Sequence, residues 1–361
     1  MSGDTPPSVV IVGAGVAGCT AALALASSHQ VTLLDRQANP SPSPGECLPA
    51  AAGRILRQLD LWAIFQAQPH QPSLGMQSRW GGSTLSIQDG LRNPDGNAWH
   101  LDRPAFEHCL RRCAQERGVC LLAPDAIASA ERQGTQWQLT LESKKTLQCH
   151  WVIDAGGRRA PFARKLGVQR EVQDHLVAAW ALYSDQQRRG PDQHMARISA
   201  AANGWFYSAP LPHGQRILAF HSDKTLLDTA KWRHAAPFVR AVRQHLPMAD
   251  LLPECGDHSS MDYQGITAAN STRLKHCAGD GWAAVGDAAI SFDPLSSQGM
   301  YNAMATSMQL AALLQNDRVA VAQSYNAQIE RIWAHYLQHR HHYYRMETRW
   351  ANQPFWQTRL A

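Results

Sequence analysis

The first thirty-five residues constrain the fold of this chain more than any other stretch. Val9-Val10-Ile11-Val12 is β-branched, Gly13-Ala14-Gly15-Val16-Ala17-Gly18 follows it, and Ala21 to Ala26 is rich in Ala and Leu. That order predicts a strand over Val9–Val12, a glycine-rich turn, a helix over Cys19–Ser27 and a second strand over Val31–Leu34. Each glycine has a task in such a unit. The first allows the tight turn, the second lets a pyrophosphate approach the backbone, and the third lets the helix lie close on the strand. The helix N-terminus adds a partial positive charge that suits phosphate. Asp35 ends the second strand twenty residues after Gly15, where a carboxylate can accept both ribose hydroxyl protons. A lone Gly-x-Gly-x-x-Gly is weak evidence. The complete βαβ unit with its terminal carboxylate points to a bound dinucleotide.

FAD and NAD share that unit, and two later segments favour FAD. Trp151-Val-Ile-Asp154-Ala155-Gly156-Gly157 and Trp282-Ala-Ala-Val-Gly286-Asp287 each put an Asp at a strand end among small residues. The second continues through Asp293-Pro294-Leu-Ser-Ser-Gln298-Gly299-Met300. Asp287 is placed to bond a ribityl hydroxyl. Pro294 and the small residues after it are expected to start a helix whose N-terminus faces the flavin pyrimidine edge, stabilising negative charge on the reduced ring.

Composition narrows the partners. The 361 residues are 44% apolar and 17% charged, a globular balance, and the net charge is only +5. The 28 Arg outnumber the 6 Lys and are scattered, so the basic stripe that nucleic acid requires is missing. The uncharged run Val9 to Ala26 resembles a membrane or signal segment only superficially. Met1 to Ser8 contains Asp4 and no Lys or Arg, and Gly13, Gly15 and Gly18 interrupt the run. A cytoplasmic protein without membrane contact is expected. Eight cysteines in that compartment read as reduced thiols, and Cys109 and Cys113 have no His pair beside them, so no metal site is expected.

Helices are expected from Ala50 to Asp60 and over Arg103–Glu116, the latter with Phe106, Leu110 and Cys113 on one face. From about Val168 to His276 the pattern is strand-rich with Pro-marked turns, and after Val285 the chain turns helical. The expected fold is α/β: a Rossmann-like FAD-binding domain (1–75, 100–167 and 277–361) interleaved with a mainly antiparallel β substrate domain (76–99 and 168–276).

With these motifs in place the sequence resembles the FAD-dependent group that includes para-hydroxybenzoate hydroxylase, geranylgeranyl reductases and tryptophan halogenases. The resemblance covers nearly the whole chain. Gly45-Glu46-Cys47-Leu-Pro49 is similar to the Gly-Glu loop of the reductase and halogenase branches. His100-Leu-Asp-Arg103-Pro-Ala-Phe106 is similar to the helix start whose Arg reaches the FAD phosphates. The tail Tyr343-Tyr-Arg-Met-Glu347-Thr-Arg-Trp350, with Pro354-Phe-Trp356, resembles one subgroup, the flavoproteins that help mature cysteine tryptophylquinone in bacterial amino-acid oxidases. The resemblance implies non-covalent FAD contacted by Gly13 to Gly18, Asp35, Arg36, Glu46, Arg103, Ala126, Asp154, Ala155, Gly156, Gly286, Asp287, Pro294, Gln298, Gly299 and Met300. The reductant it leaves open is NAD(P)H or a separate flavin reductase.

The departures matter as much. Flavin halogenases share a catalytic lysine some thirty residues after the Gly-Glu loop, and a Trp-x-Trp-x-Ile-Pro motif. Here no lysine precedes Lys144, and Trp205-Phe-Tyr207-Ser-Ala-Pro210 lacks the second Trp and the Ile. Without that lysine, hypohalous acid has no carrier, so halogenation is disfavoured.

Four residues are catalytic candidates: Glu46, Cys47, Tyr207 and Asp293. Each also has a bland reading. Cys47 can be a small filler, and Asp293 a helix cap. Trp205 and Tyr207, on one face of a strand, can be ordinary sheet packing. His335, His339, His341 and His342 read as a solvated helix. The expected activity is oxygen insertion or oxidation through reduced FAD. By resemblance, the substrate is a tryptophan side chain in the precursor of a quinoprotein amino-acid oxidase. A small-molecule aromatic hydroxylase or halogenase is the alternative enzyme, and a flavin-bearing maturation chaperone the alternative of another class.

Overall fold

The structure is a computed structural model and describes residues 6–90, 94–184, 191–252, 261–316 and 320–360; Asp4, used above, lies outside them. The chain opens with β1 (Ser8–Val12), α1 (Val16–Leu25) and β2 (Gln30–Leu34), and a loop then carries β3 (Cys47–Leu48). A hairpin of β4 (Gly75–Arg79) and β5 (Ser86–Asp89) is followed by β6 (Ala98–His100), α2 (Arg103–Glu116), β7 (Cys120–Leu122) and β8 (Trp151–Asp154). Four long strands come next: β9 (Leu176–Ser184), β10 (Ala196–Ala201), β11 (Gly204–Leu211) and β12 (Gln215–Asp223). After β13 (Met261–Ala268), β14 (Ala278–Gly279) and β15 (Trp282–Ala284), the chain is helical in α3 (Gly299–Asn316), α4 (Val321–Arg345) and α5 (Pro354–Leu360).

Two sheets organise these elements. The first has the order β14-β15-β8-β1-β2-β7 and is parallel except for β14. Val9, Val10, Ile11 and Val12 are all buried, as a parallel strand covered on both faces requires. The second sheet has the order β13-β9-β12-β11-β10-β4-β5, antiparallel except where β4 joins β10. The hairpin before residue 90 thus completes a sheet built mostly from residues beyond 175.

Phe106, Leu110 and Cys113 of α2 are buried, as their helical spacing requires. The carboxy-terminal helix α5 is fastened to the second sheet by Arg359, which forms a bidentate pair with Asp223 at 2.7 and 2.8 Å. Trp205, Tyr344, Phe355 and Trp356 are buried together beside that tie. No helix among the described residues is long and apolar enough to cross a membrane.

Candidate functional site

The glycine-rich turn is built as its sequence demands. Gly13 has φ +107°, and a Cβ there would stand 2.4 Å from the Ala155 carbonyl oxygen; one on Gly18 would stand 1.8 Å from that of Gly13. Only glycine tolerates either contact. Gly15 differs, since the only atoms within 4 Å of an added Cβ are the Glu107 carboxylate oxygens. No side chain caps α1 at Gly15, and its first turn carries no acid. An open backbone surface at an uncapped helix N-terminus fits a dinucleotide pyrophosphate.

The flanking charges are held in fixed places. Asp35 Oδ2 accepts from the Ala14 N–H at 2.7 Å and from Arg111 at 3.1 Å, and Oδ1 accepts from the Gln37 N–H at 2.7 Å. Arg111 is buried and also donates to the carbonyls of Ala14, Gln37 and Ala38. It locks the glycine turn to the end of β2. It is not among the candidates that the sequence motifs mark, although Arg103, Glu107 and Arg111 recur every four residues and so share one face of α2. Arg103 pairs with Glu107 at 3.0 Å and donates to the carbonyls of Pro44 and Gly45, bringing the Gly-Glu loop against the start of α2. Arg36 is exposed and 3.6 Å from Glu142, while Ala126 is buried and its carbonyl accepts from the Glu142 N–H.

The other expected contacts divide into two kinds. Asp287 keeps a partly open carboxylate, 3.6 Å from Arg158, and Gly286 is fixed by a 2.9 Å hydrogen bond from its N–H to Thr306. Asp154 is different: its carboxylate is fully buried and accepts from the backbone N–H groups of Gly156, Phe162 and Ala163. The two bonds to Oδ2 tie down the first turn of the short helix Pro161–Lys165. Ala155 and Gly156 then face the glycine turn through backbone. The helix expected at Pro294 begins instead at Gly299. Asp293 caps a single 3-10 turn by accepting from the Leu295 N–H, and Ser297 turns left-handed at φ +50°, which interrupts the helical ladder. Gln298, Gly299 and Met300 form the true helix start. Asp293 is buried and held by that cap and by Tyr344.

Glu46 and Tyr207 are brought together. Glu46 is buried, accepts from the Gly45 N–H at 3.1 Å, and is hydrogen-bonded by the Tyr207 hydroxyl of β11. Burial pushes the Glu46 carboxyl above its ordinary range, although the Tyr207 hydrogen bond and Arg103 oppose the shift. Burial and the Glu46 charge hold Tyr207 well above the usual phenol value, so it remains a proton donor. Burial also pushes the Cys47 thiol to about 12, which makes it a poor nucleophile. Beside Glu46 lies a cavity of about 110 Å³, between the Gly-Glu loop with the start of α2 and the second sheet. Glu46, Asp102 and Arg103 form one side of it; Trp180, Leu182 and Ile217 form the other. His213 stands near the Asp102 carboxylate at 3.4 Å and also lines this cavity. Trp205, by contrast, is packed against His221 at 3.6 Å between ring centroids and bonds Tyr344, so it is core and not pocket wall. His335 and His339 are exposed, and among the described residues no group of three or more His, Cys, Asp or Glu could hold a metal.

Comparison with known proteins agrees with this architecture. The pattern of the tryptophan halogenase family matches residues 85–360, and that of FAD dependent oxidoreductase matches residues 8–53. The chain therefore belongs to the tryptophan halogenase family. It is an FAD-dependent oxidoreductase by class, and FAD is its cofactor. It is 29% identical over 365 residues to the FAD-dependent oxidoreductase named LodB of Marinomonas mediterranea, covering 98% of this chain and 96% of that protein. It spans only 64% and 60% of the length of two curated halogenases that it also matches. Among solved structures, the flavin-dependent halogenase CmlS superposes with a TM-score of 0.84 at 23% identity, over 98% of this chain and 68% of that one. The peptidyl tryptophan dihydroxylase QhpG, essential for tryptophylquinone cofactor biogenesis, superposes with a TM-score of 0.79 at 21% identity, over 98% and 79%. These two structures establish the shared fold.

Proposed function

We propose that this chain is an FAD-dependent monooxygenase or oxidase acting on a tryptophan side chain of a partner protein. The partner is the precursor of a quinoprotein amino-acid oxidase, and the reaction serves maturation of its cysteine tryptophylquinone. The observation that carries this reading is the buried Glu46–Tyr207 pair in a chain without a lysine before Lys144. The site is furnished to move a proton and lacks the amine that an electrophilic halogen needs. The similarity to LodB, and to a dihydroxylase of peptidyl tryptophan, supports the same direction.

In this proposal the turn Gly13–Gly18, Asp35, Arg103 and Gly286-Asp287 hold FAD, which when bound supplies the oxygen or electron-transfer chemistry. The second sheet, with residues 76–99 and 168–276, is the substrate domain. Trp180, Leu182 and Ile217 keep water from the reacting ring, and Glu46 accepts the proton that the indole loses. Tyr207 orients the Glu46 carboxylate through its hydroxyl. The test is to co-express a quinoprotein amino-acid oxidase precursor with this protein and weigh the precursor intact. Oxygen-containing mass should appear with the native protein and vanish with Glu46→Gln, although that variant still binds FAD. Modification of the precursor by the purified protein after its flavin has been stripped would replace the enzyme reading by a chaperone.

A further inference from the structure

Helix α4 carries a ridge that the cofactor site does not use. Arg331, His335, Gln338, His342 and Arg345 recur at spacings of three and four residues, so they lie in one row along the helix, and all five are exposed. The row runs roughly 21 Å at the helical rise per residue. Opposite it, Ile329, Trp333, Tyr336 and Tyr344 are buried. The ridge holds no acid, and the two acids nearest to it along the chain are engaged elsewhere. Glu330 pairs with Arg273, while Glu347 is buried, pairs with Arg349 and accepts from the Gly81 N–H. Among the described residues neither Arg331 nor Arg345 has an ion-pair partner. Met346, 46% exposed, follows one turn after His342. The same end of the helix is fixed to the second sheet, since Trp80 Nε1 donates to the Tyr343 carbonyl at 2.7 Å.

A helix face that meets only water is usually laced with charges of both signs, because like charges three or four residues apart repel. This ridge has one sign, and its two fixed charges are unpaired. The surface complementary to it is one that brings carboxylates. Each Arg offers a fork that matches a carboxylate, and the imidazole and amide N–H groups between them donate to further oxygens. Two guanidinium groups at opposite ends of the row are too sparse for nucleic acid or an anionic lipid surface, each of which asks for clustered Lys and Arg. Met346 adds an exposed apolar contact at one end. We infer that this ridge docks an acidic segment of another protein, with carboxylates on Arg331 and Arg345 and an apolar side chain over Met346. That the segment belongs to the tryptophan-bearing partner rests on the function proposed above; the docking itself does not.

The test uses the FAD-loaded full chain and the fluorescence anisotropy of a labelled peptide of Glu-Glu-Leu repeats, long enough to span the ridge. The same peptide with Gln for Glu, single-stranded DNA, and phosphatidylserine vesicles read by co-sedimentation are the other probes. The Glu peptide should bind about tenfold or more tighter than each of the others, and more weakly as salt is raised. Arg331→Glu combined with Arg345→Glu should weaken it about tenfold or more at unchanged flavin content. Arg233→Glu combined with Arg240→Glu makes the same change of net charge at exposed positions outside α4, and should leave peptide affinity nearly unchanged. Equal loss in the two double variants would show attraction to net charge alone and overturn the proposal. So would DNA or vesicles binding as tightly as the Glu peptide, or no saturable peptide binding to the native protein. Peptide binding is read without turnover, so failure of the proposed reaction would leave this result standing.

Discussion

The Tyr344 hydroxyl donates a 2.7 Å hydrogen bond to Asp293 Oδ2, joining helix α4 to the turn that precedes α3. The same hydroxyl accepts from the Trp205 indole N–H at 3.2 Å, and the Asp293 N–H donates to Tyr336 at 2.8 Å. A core residue of the second sheet is thereby tied to the segment expected beside the flavin. Tyr344→Phe keeps the ring and deletes only these bonds. It leaves a buried carboxylate with one donor fewer, a loss of about 1–3 kcal/mol. The midpoint of urea unfolding should fall accordingly. An unchanged midpoint would mean that Asp293 is satisfied without Tyr344.

Asp35 and Asp287 should separate under substitution. In the proposed cofactor site each carboxylate bonds a ribose or ribityl hydroxyl; removing one would delete a charged hydrogen bond, about 1.5–3 kcal/mol, so FAD affinity should fall roughly tenfold to a hundredfold. Asp35→Ala also strands the buried Arg111, and should lower the stability of the FAD-free chain. Asp287→Ala, at a partly open position, should leave that stability near the native value. Titration of the flavin-stripped chains with FAD and thermal unfolding read the two effects. Equal FAD affinity in all three proteins would remove both residues from the cofactor site.

The parts legible in the sequence were those set by local chemistry. The Gly13, Gly15 and Gly18 spacing, the carboxylate at Asp35 and the apolar face of Arg103–Glu116 each follow from one segment's own periodicity, and the fold class followed from them. What was hidden depends on distant segments or on a single backbone angle. Glu46 and Tyr207 stood in the sequence as separate candidates, because their meeting is set by how the Gly-Glu loop packs on β11. The left-handed Ser297 that delays α3 to Gly299 gives no residue-type signal, since serine rarely adopts that conformation. The bonds that Asp154 accepts from Phe162 and Ala163 were hidden because they come from a later turn.

Acid should destabilise the protein well before its carboxylates protonate in the unfolded chain. Burial lowers His70 and His100 from 6.5 to about 4, and His221 to about 3. All three stay neutral in the folded state while the unfolded chain takes up protons below pH 6.5. Stability is therefore complete above that pH and declines as pH falls toward the folded values. Between pH 6.5 and 5 each histidine contributes a loss of roughly 2 kcal/mol. Glu46, Asp154 and Asp293, raised by burial, act in the opposite sense and soften the decline. His221→Phe keeps the stack on Trp205 and should flatten the pH dependence by close to one proton. Equal slopes for the variant and the native protein would show that His221 titrates freely.

Free tryptophan should not be brominated by this enzyme, despite its membership of the tryptophan halogenase family. The argument rests on what stands where a halogenase needs its machinery. No lysine precedes Lys144, so an electrophilic halogen would have no amine to carry it to the ring. The strand that carries Trp205 and Tyr207 is also committed elsewhere. Trp205 is locked in the core between His221 and Tyr344, and Tyr207 is turned to Glu46. The cavity beside Glu46, about 110 Å³, offers a carboxyl and apolar walls, and no amine lines it. The measurement supplies reduced FAD, oxygen, bromide and tryptophan, and follows the mass of bromotryptophan with time. None is expected beyond a no-enzyme control. Steady formation over many turnovers would show that a different residue carries the halogen, and would move the assignment to small-molecule halogenation.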